Sequence, residues 1–494
     1  LYKDIGLFDI RSMITRLPSL LKEEDKMKKY EQLFYDGNWQ TADSQVFSDV
    51  VNPATEEVIA QVIQATHKDV DNAVAAAKKA FPKWNTTAPK ERAEYLEKVL
   101  AIIKRRQTAI QETIIQELGA SKQFTKNAQV PLSIREMEAT LSEFATYSFE
   151  ETIDNAQIIK EGYGVVACVT PWNYPFNQIQ RKITPALLAG NTVVVKPASN
   201  TPLTAILYAE IMEEAGLPKG VFNLITGSGG DAGEYLVSHP DVEVISFTGS
   251  TEVGKNLYHH AATTVKKLVL ELGGKSAMVY LKGGDLSAAV EAAASTVLDN
   301  QGQTCSALSR LLVPSDELEQ TKQLLKEYYA TIQVGDPAEE ATRVGPMVSE
   351  SQRKTVLEYI QKGQEEGAEI LVGGQAIEGK GYFVEPTVFV NVTNDMTIAQ
   401  EEIFGPVLTV VTYDTVEEAI ELANDSVYGL SGAVVGPAEE AEKVARQLRT
   451  GNVIVNGGKR TAKAPFGGYK QSGLGRENGL YGLEDYLETK AIFL

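Results

Sequence analysis

The sequence predicts an α/β protein built on two largely parallel sheets, and three observations carry this. From residue 163 to 274 short apolar runs alternate with helical patterns: Val165 to Val169, Thr192 to Lys196, Val221 to Ile225, Val242 to Phe247 and Leu268 to Leu272 read as strands, with helices near 176–188, 202–214, 231–237 and 252–260. Runs that are apolar throughout mark strands buried on both faces, and the helices between them supply βαβ crossovers. A second series of the same kind begins at residue 275, and 494 residues are enough for more than one core.

Taken in order, residues 1–26 show no secretory pattern and end in Lys22-Glu23-Glu24-Asp25-Lys26. Met27-Lys28-Lys29-Tyr30 reads as a start, so 1–26 is expected to be an added or leader segment, to which no function is assigned. Leu33-Phe34-Tyr35, the Asp36-Gly37 turn signal and Val50 to Ala54 predict short strands. Residues 67–127 are helical, with Asp69 as a capping residue, and 130–148 are helical again. Residues 151–162 read as a polar strand pair, a connecting hairpin unless something covers it. The second series has strands at Val279 to Leu281, Arg310 to Val313, Phe383 to Val390 and Val407 to Tyr413. Its helices fall near 285–298, 316–331, 351–366, 415–424 and 438–449. From 464 the tail is rich in glycine and aromatic residues, and there is no internal repeat.

Composition excludes several classes of function. Hydrophobic residues make up 43% and charged residues 23%, an ordinary globular profile, and the net charge is −19. A nucleic-acid partner needs a basic surface, which this balance opposes. Two cysteines offer no disulfide framework and fit a reducing compartment, so a cytoplasmic protein is expected. No apolar run approaches the ~18–20 residues of a membrane span, so no membrane partner is expected. No metal site is expected either.

The candidate chemistry collects at strand ends. Parallel sheets bind ligands beyond the carboxyl ends of their strands. Asn173, Lys196, Gly227, Thr248 and Glu271 all fall at or just after such ends. Two glycine stretches, Gly227-Ser228-Gly229-Gly230 and Phe247-Thr248-Gly249-Ser250, each follow a strand and open a helix. Either offers a helix start to a phosphate, or is simply a tight turn. Cys305 lies in Gly302-Gln303-Thr304-Cys305-Ser306, a small and polar neighbourhood, whereas Cys168 lies among apolar residues. A thiol in such surroundings is open to a substrate and to activation by a base. The four histidines, His67, His239, His259 and His260, are all remote from it in sequence, so a cysteine–histidine hydrolase has no support.

Leu270-Glu271-Leu272-Gly273-Gly274-Lys275, Gly302-Gln303-Thr304-Cys305 and Pro171-Trp172-Asn173, in this order and spacing, resemble the motifs of the aldehyde dehydrogenase superfamily. The resemblance runs from about residue 33 to the end. It implies two Rossmann-like domains, for cofactor and catalysis, plus a small β oligomerisation module. The cofactor-binding domain would span 27–142 and 163–274, and the catalytic domain 275–463. The module and tail would span 143–162 and 464–494, in a homodimer or homotetramer.

The resemblance also implies roles. Cys305 would attack an aldehyde, with the oxyanion held by the Asn173 amide and the Cys305 N–H, and Glu271 would activate water for hydrolysis of the thioester. Relatives that pass the acyl group to coenzyme A typically lack that glutamate. Lys182 and Glu488 match positions linked to the oxyanion amide or to proton relay. NAD or NADP would be bound by Thr170, Pro171, Trp172, Lys196, Ser199, Gly229, Phe247, Thr248, Gly249, Ser250, Val253, Leu272, Gln352, Glu402 and Phe404. Glutamate is frequent in the family at the position of Ser199. Its absence removes a repulsion against a 2′-phosphate, so NADP⁺ is expected to be accepted. Tyr174 and Arg181 would face the substrate. Arginine at the second position occurs in relatives that oxidise succinic semialdehyde, but their second arginine is replaced here by Asp299. The substrate is thus either a broader or aromatic aldehyde or an anionic semialdehyde. A non-catalytic relative would have lost part of the set Asn173, Glu271 and Cys305, which is intact.

Overall fold

The computed structural model describes residues 27–494, and the expectation for 1–26 lies outside the described residues. The strands, in chain order, are β1 (Lys28–Tyr30), β2 (Gln32–Tyr35), β3 (Asn38–Thr41), β4 (Phe47–Asn52), β5 (Glu57–Ile63), β6 (Glu150–Ile153), β7 (Ala156–Gly162), β8 (Val165–Val169), β9 (Thr192–Lys196), β10 (Phe222–Leu224), β11 (Val244–Thr248) and β12 (Lys267–Glu271). They continue as β13 (Ala277–Tyr280), β14 (Arg310–Pro314), β15 (Glu369–Val372), β16 (Thr387–Val392), β17 (Val407–Tyr413), β18 (Ser431–Val435), β19 (Asn452–Val455), β20 (Gly473–Leu474) and β21 (Leu487–Phe493).

Two sheets hold the site. The first has the order β20-β12-β11-β8-β9-β10-β2-β3, parallel from β12 to β10 and closed at both edges by antiparallel strands. The order in which successive strands are added reverses between β8 and β11, so the crevice above that pair is the expected ligand position. The second has the order β15-β16-β17-β14-β13-β18-β19, parallel except for β15. Strands such as β9 and β18 are buried along their whole length, as their unbroken apolar character requires. The expected α/β class with two Rossmann-like domains and a small β module is the architecture found.

The functional segments occupy the gap between these sheets. They follow the carboxyl ends of β8, β9, β11 and β12 in the first sheet. In the second they precede the amino ends of β13, β14 and β17. The helix Pro175–Leu188 is buried at all 14 positions, including Asn177, Gln178, Gln180, Arg181 and Lys182. Polar side chains on a fully enclosed helix must find partners, which marks this helix as part of the site.

Several local expectations shift. The helical region 67–127 divides at Pro89, Arg106 and Gly119 into His67–Asn85, Pro89–Arg105, Gln107–Leu118 and a short stretch that starts at Lys122. The cap of the first is Thr66, whose side chain accepts from the Asp69 N–H while Asp69 accepts in return, so Asp69 is the third residue of a capping box. The strand expected from Phe383 begins only at Thr387, after Pro386, whose missing N–H cannot enter a ladder. Strands β15, β18 and β19 were not expected. A third sheet, β21-β7-β6, joins the strand pair at 150–162 to the tail. The tail also contributes β20 to the first sheet, so its residues do not all lie in the small module.

Candidate active site

Cys305 ends a strained loop. Asn300, Gln301 and Gly302 have φ of 53°, 59° and 74°, three successive residues in the left-handed region. Strain of this kind persists where surroundings impose it and concentrates at functional sites. At Gly302 a Cβ would overlap the Gly405 carbonyl, so glycine is required by space as well as by φ. Asn300 Nδ2 donates to the Asn173 carbonyl at 2.8 Å, and Gln301 Nε2 donates to Pro346 O at 3.0 Å and to Gly119 O at 2.6 Å. These bonds tie the cysteine loop to the segment after β8, to the end of the helix Gln107–Leu118 and to the loop at Pro346.

Asn173 meets the same loop. Its Nδ2 donates to Gln303 O at 3.0 Å, which uses one of its two N–H groups. Its carbonyl is held by Asn300 and by Gln129 Nε2 at 3.3 Å. The Cys305 N–H has no acceptor among the described residues, so one N–H of Asn173 and that of Cys305 are both unengaged. Tyr174 Oη and Thr304 Oγ1 lie 3.1 Å apart, which puts the tyrosine against the residue preceding the cysteine. Burial pushes the Tyr174 hydroxyl well above its ordinary value.

Burial also raises the Cys305 thiol to about 12, with the charges of Glu402 and Glu271 adding to the effect. The resting thiol is therefore protonated at neutral pH, and attack requires a base. Glu271, at the end of β12, is 2% exposed and neither carboxylate oxygen has a protein partner. Burial first, and then the charge of Glu477, hold its carboxyl well above the ordinary range. The two glycines after it allow contact with the cysteine loop, since a Cβ on Gly274 would overlap the Cys305 carbonyl.

Lys182 and Glu488 are not brought together. Lys182 is wholly buried, and its Nζ donates to Glu477 Oε1 at 2.8 Å. Glu488 is exposed on β21, paired across the ladder with Glu161, so it has no access to the cleft. The carboxylate that does meet Lys182 is Glu477, 1% exposed and bridged through its backbone to Phe466. A carboxylate inside the glycine- and aromatic-rich tail was the available signal for it.

Arg181 is likewise not free to receive a substrate carboxylate. Its Nε donates to Glu136 Oε2 at 3.1 Å, its Nη2 bonds Glu136 Oε1, and its Nη1 lies 3.6 Å from Glu477 Oε2. Glu136, 2% exposed, also accepts from Asn177 Nδ2 at 2.8 Å. Asp299, at the second position relevant to semialdehydes, is held by Arg343 at 2.6 Å.

Most of the cofactor candidates lie at or just after the carboxyl ends of β8, β9, β10, β11 and β12. Ser250 caps the helix Thr251–Ala262 by accepting from Val253 N–H at 3.3 Å, and Val253 is exposed on its first turn. Buried Thr170 Oγ1 and Thr248 Oγ1 have no protein partners. Leu272 packs on Gly254, and Gly249 leaves room for the Phe247 ring. Lys196 Nζ and Ser199 Oγ both donate to Gly227 O, at 3.2 and 3.1 Å, and burial lowers the lysine to about 8. Gly229 faces open space. Across the gap Glu402 Oε1 accepts from Gly274 N–H at 3.1 Å, and burial raises its carboxyl to about 7. Phe404 sits at φ 55° with its ring 5.2 Å from that of Trp172, which Pro171 precedes. Gln352 Nε2 donates to Phe404 O at 3.0 Å, so Gln352 acts by holding that loop. Unpartnered hydroxyls, a helix start and close glycines together fit a dinucleotide.

The model described as the aldehyde dehydrogenase family matches residues 39–492. The chain belongs to the aldehyde dehydrogenase family. A Staphylococcus haemolyticus protein assigned by name to the aldehyde dehydrogenases is 44% identical over 470 residues, 94% of this chain and 99% of that protein. The crystal structure of a mutant of aldehyde dehydrogenase C from Pseudomonas syringae, complexed with NAD⁺ and octanal, has a TM-score of 0.92 and 43% identity, over 94% of this chain and 96% of that one. A Mycobacterium tuberculosis aldehyde dehydrogenase complexed with NAD⁺ has a TM-score of 0.92 and 39% identity, over 95% and 99%. This aldehyde dehydrogenase is an enzyme of aldehyde oxidation. Among the described residues, no helix is long and apolar enough to cross a membrane.

Proposed function

We propose that this enzyme oxidises an aldehyde to the free carboxylic acid through a thioester on Cys305. The observation that carries the reading is an orphaned, buried carboxylate, Glu271, whose backbone continuation packs on the loop of a protonated thiol. Cys305 Sγ bonds to the carbonyl carbon and its proton passes to Glu271, a carboxylate whose affinity for a proton is raised by burial. The oxygen that becomes negative is held by the second Asn173 N–H and the Cys305 N–H. A bound NAD⁺ or NADP⁺ supplies the hydride acceptor. Loss of the hydride leaves the thioester. Glu271, having released its first proton to solvent, takes a proton from the water that attacks the thioester carbonyl. As the C–S bond breaks, the acid departs and that proton returns to the Cys305 sulfur. Burial sets the high proton affinity of Glu271, and the charges of Glu477, which raises it further, and Lys182, which lowers it, adjust that value.

Neutral Ser199 supports acceptance of NADP⁺ beside NAD⁺. The exposed strands β6 and β21, with Ile153 and Phe493 in solvent, support self-association as a dimer or tetramer through the small sheet. Two unpaired cysteines support a cytoplasmic setting. Aldehyde-dependent reduction of NAD⁺ and NADP⁺ by the wild type and by Cys305→Ser tests the reading. Turnover confined to the wild type is expected, and turnover retained by the serine variant would refute the nucleophile.

A further inference from the structure

The substrate side of the cleft is basic in a way that the chemistry of Cys305, Asn173 and Glu271 does not use. A cavity of about 840 Å³ reaches Cys305 and is bordered by Arg135, Arg181, Lys459 and Arg460, against a single carboxylate, Glu136. The chain as a whole carries −19, so this local excess of positive charge runs against its composition. Arg181 and Glu136 neutralise one another. Among the described residues, none of Arg135, Lys459 and Arg460 has an ion-pair partner, and the Arg460 guanidinium donates to Ser431 Oγ at 3.2 Å.

Arg460 is the best placed of the three. It lies on the loop between β19 and the tail, with its guanidinium carbon 6.0 Å from the centre of the Phe466 ring. The Arg181 guanidinium stands 4.7 Å from the same ring. Phe466 is fixed by paired backbone bonds with Glu477, at 2.8 and 2.7 Å. The loop is thus anchored to the buried ion-pair network beside the reacting groups. Arg460 is exposed at the cleft, and its charge acts on Cys305, Arg181 and Tyr174. A guanidinium with unused donors at the border of a site binds a carboxylate through two parallel N–H bonds.

We propose that Arg460, supported by Lys459, receives a carboxylate at the far end of the substrate, so that the preferred class is aldehydes bearing a terminal carboxylate. This rests on the aldehyde oxidation proposed above and assigns the anionic contact to Arg460, with Arg181 in a positioning role. The test compares kcat/KM for 5-oxopentanoate and its methyl ester in the wild type, Arg460→Gln and Arg460→Lys. The wild type is expected to favour the acid at least tenfold. Arg460→Gln is expected to lower that ratio at least tenfold, chiefly through KM, and Arg460→Lys to restore part of it. A wild-type ratio near one, or a ratio unchanged in Arg460→Gln, overturns the proposal while turnover of the ester leaves the reaction intact. In parallel, glutarate should slow alkylation of Cys305 by iodoacetamide in the wild type and not in Arg460→Gln. That readout decides the binding claim even if neither aldehyde is oxidised, an outcome that counts against the reaction instead; equal protection in both proteins overturns the proposal.

Discussion

Replacing Asn173 by alanine separates the catalytic use of its amide from its structural use. One N–H is engaged with Gln303 O, and Oδ1 has no partner, so the second N–H is the group available to an oxyanion. The loop does not depend on this side chain alone. Asn300 Nδ2 also donates to Gln303 O at 3.2 Å, and Asn300 and Gln129 hold the residue-173 carbonyl through the backbone. Loss of one preorganised donor to a developing oxyanion costs ~3–4 kcal/mol, a factor of about 10²–10³ in rate. The assay is steady-state kcat/KM with one aldehyde, converted to a transition-state free energy, beside the rate of Cys305 alkylation by iodoacetamide. The expected result is a fall of at least about a hundredfold in kcat/KM with alkylation within about twofold of wild type. A fall of less than about fivefold would refute the oxyanion assignment, and a matching collapse in alkylation would show that the amide serves the loop.

Three further outcomes follow from the same geometry. Because burial holds the Cys305 thiol near 12, its alkylation in the cofactor-free protein should accelerate steadily from pH 7 to 10, at about tenfold per unit. A plateau by pH 8 would contradict this. Glu477→Gln leaves Lys182 buried without its counter-charge, at a cost of roughly 3–5 kcal/mol, seen as a lower urea midpoint; an unchanged midpoint would mean that the pair contributes nothing. Ser199→Glu should lower kcat/KM with NADP⁺ at least about tenfold, or ~1.4 kcal/mol, and keep NAD⁺ turnover; equal loss with both would show that the position does not sense the 2′-phosphate.

What the chain reveals without coordinates divides along physical lines. Unbroken apolar runs such as Val193-Val194-Val195 have one solution, a buried parallel strand, and the residues after their ends share a crevice for that reason alone. Local chemistry placed Cys305 and Glu271, since a polar setting for a thiol and two glycines after a strand-end carboxylate are short-range patterns. Partners distant in sequence were not legible. Lys182 meets Glu477 from 295 residues away, and Arg181 is enclosed by Glu136 from 45, so nothing near either residue distinguishes a neutralised cation from a free one. Motif position alone suggested Glu488, which faces solvent because its strand pairs with β7. Strands β15 and β19 are only partly buried and four residues long, too brief for a period to register.

The central claim is a covalent acyl intermediate on Cys305. Rapid acid quench of the wild-type enzyme turning over NAD⁺ and a single aldehyde, followed by peptide mass analysis, tests it directly. The account predicts the acyl mass on the peptide carrying Cys305 and an unmodified Cys168. Acid formation at the full rate with Cys305 unmodified at every quench time, or an acyl group carried by another residue, would contradict it.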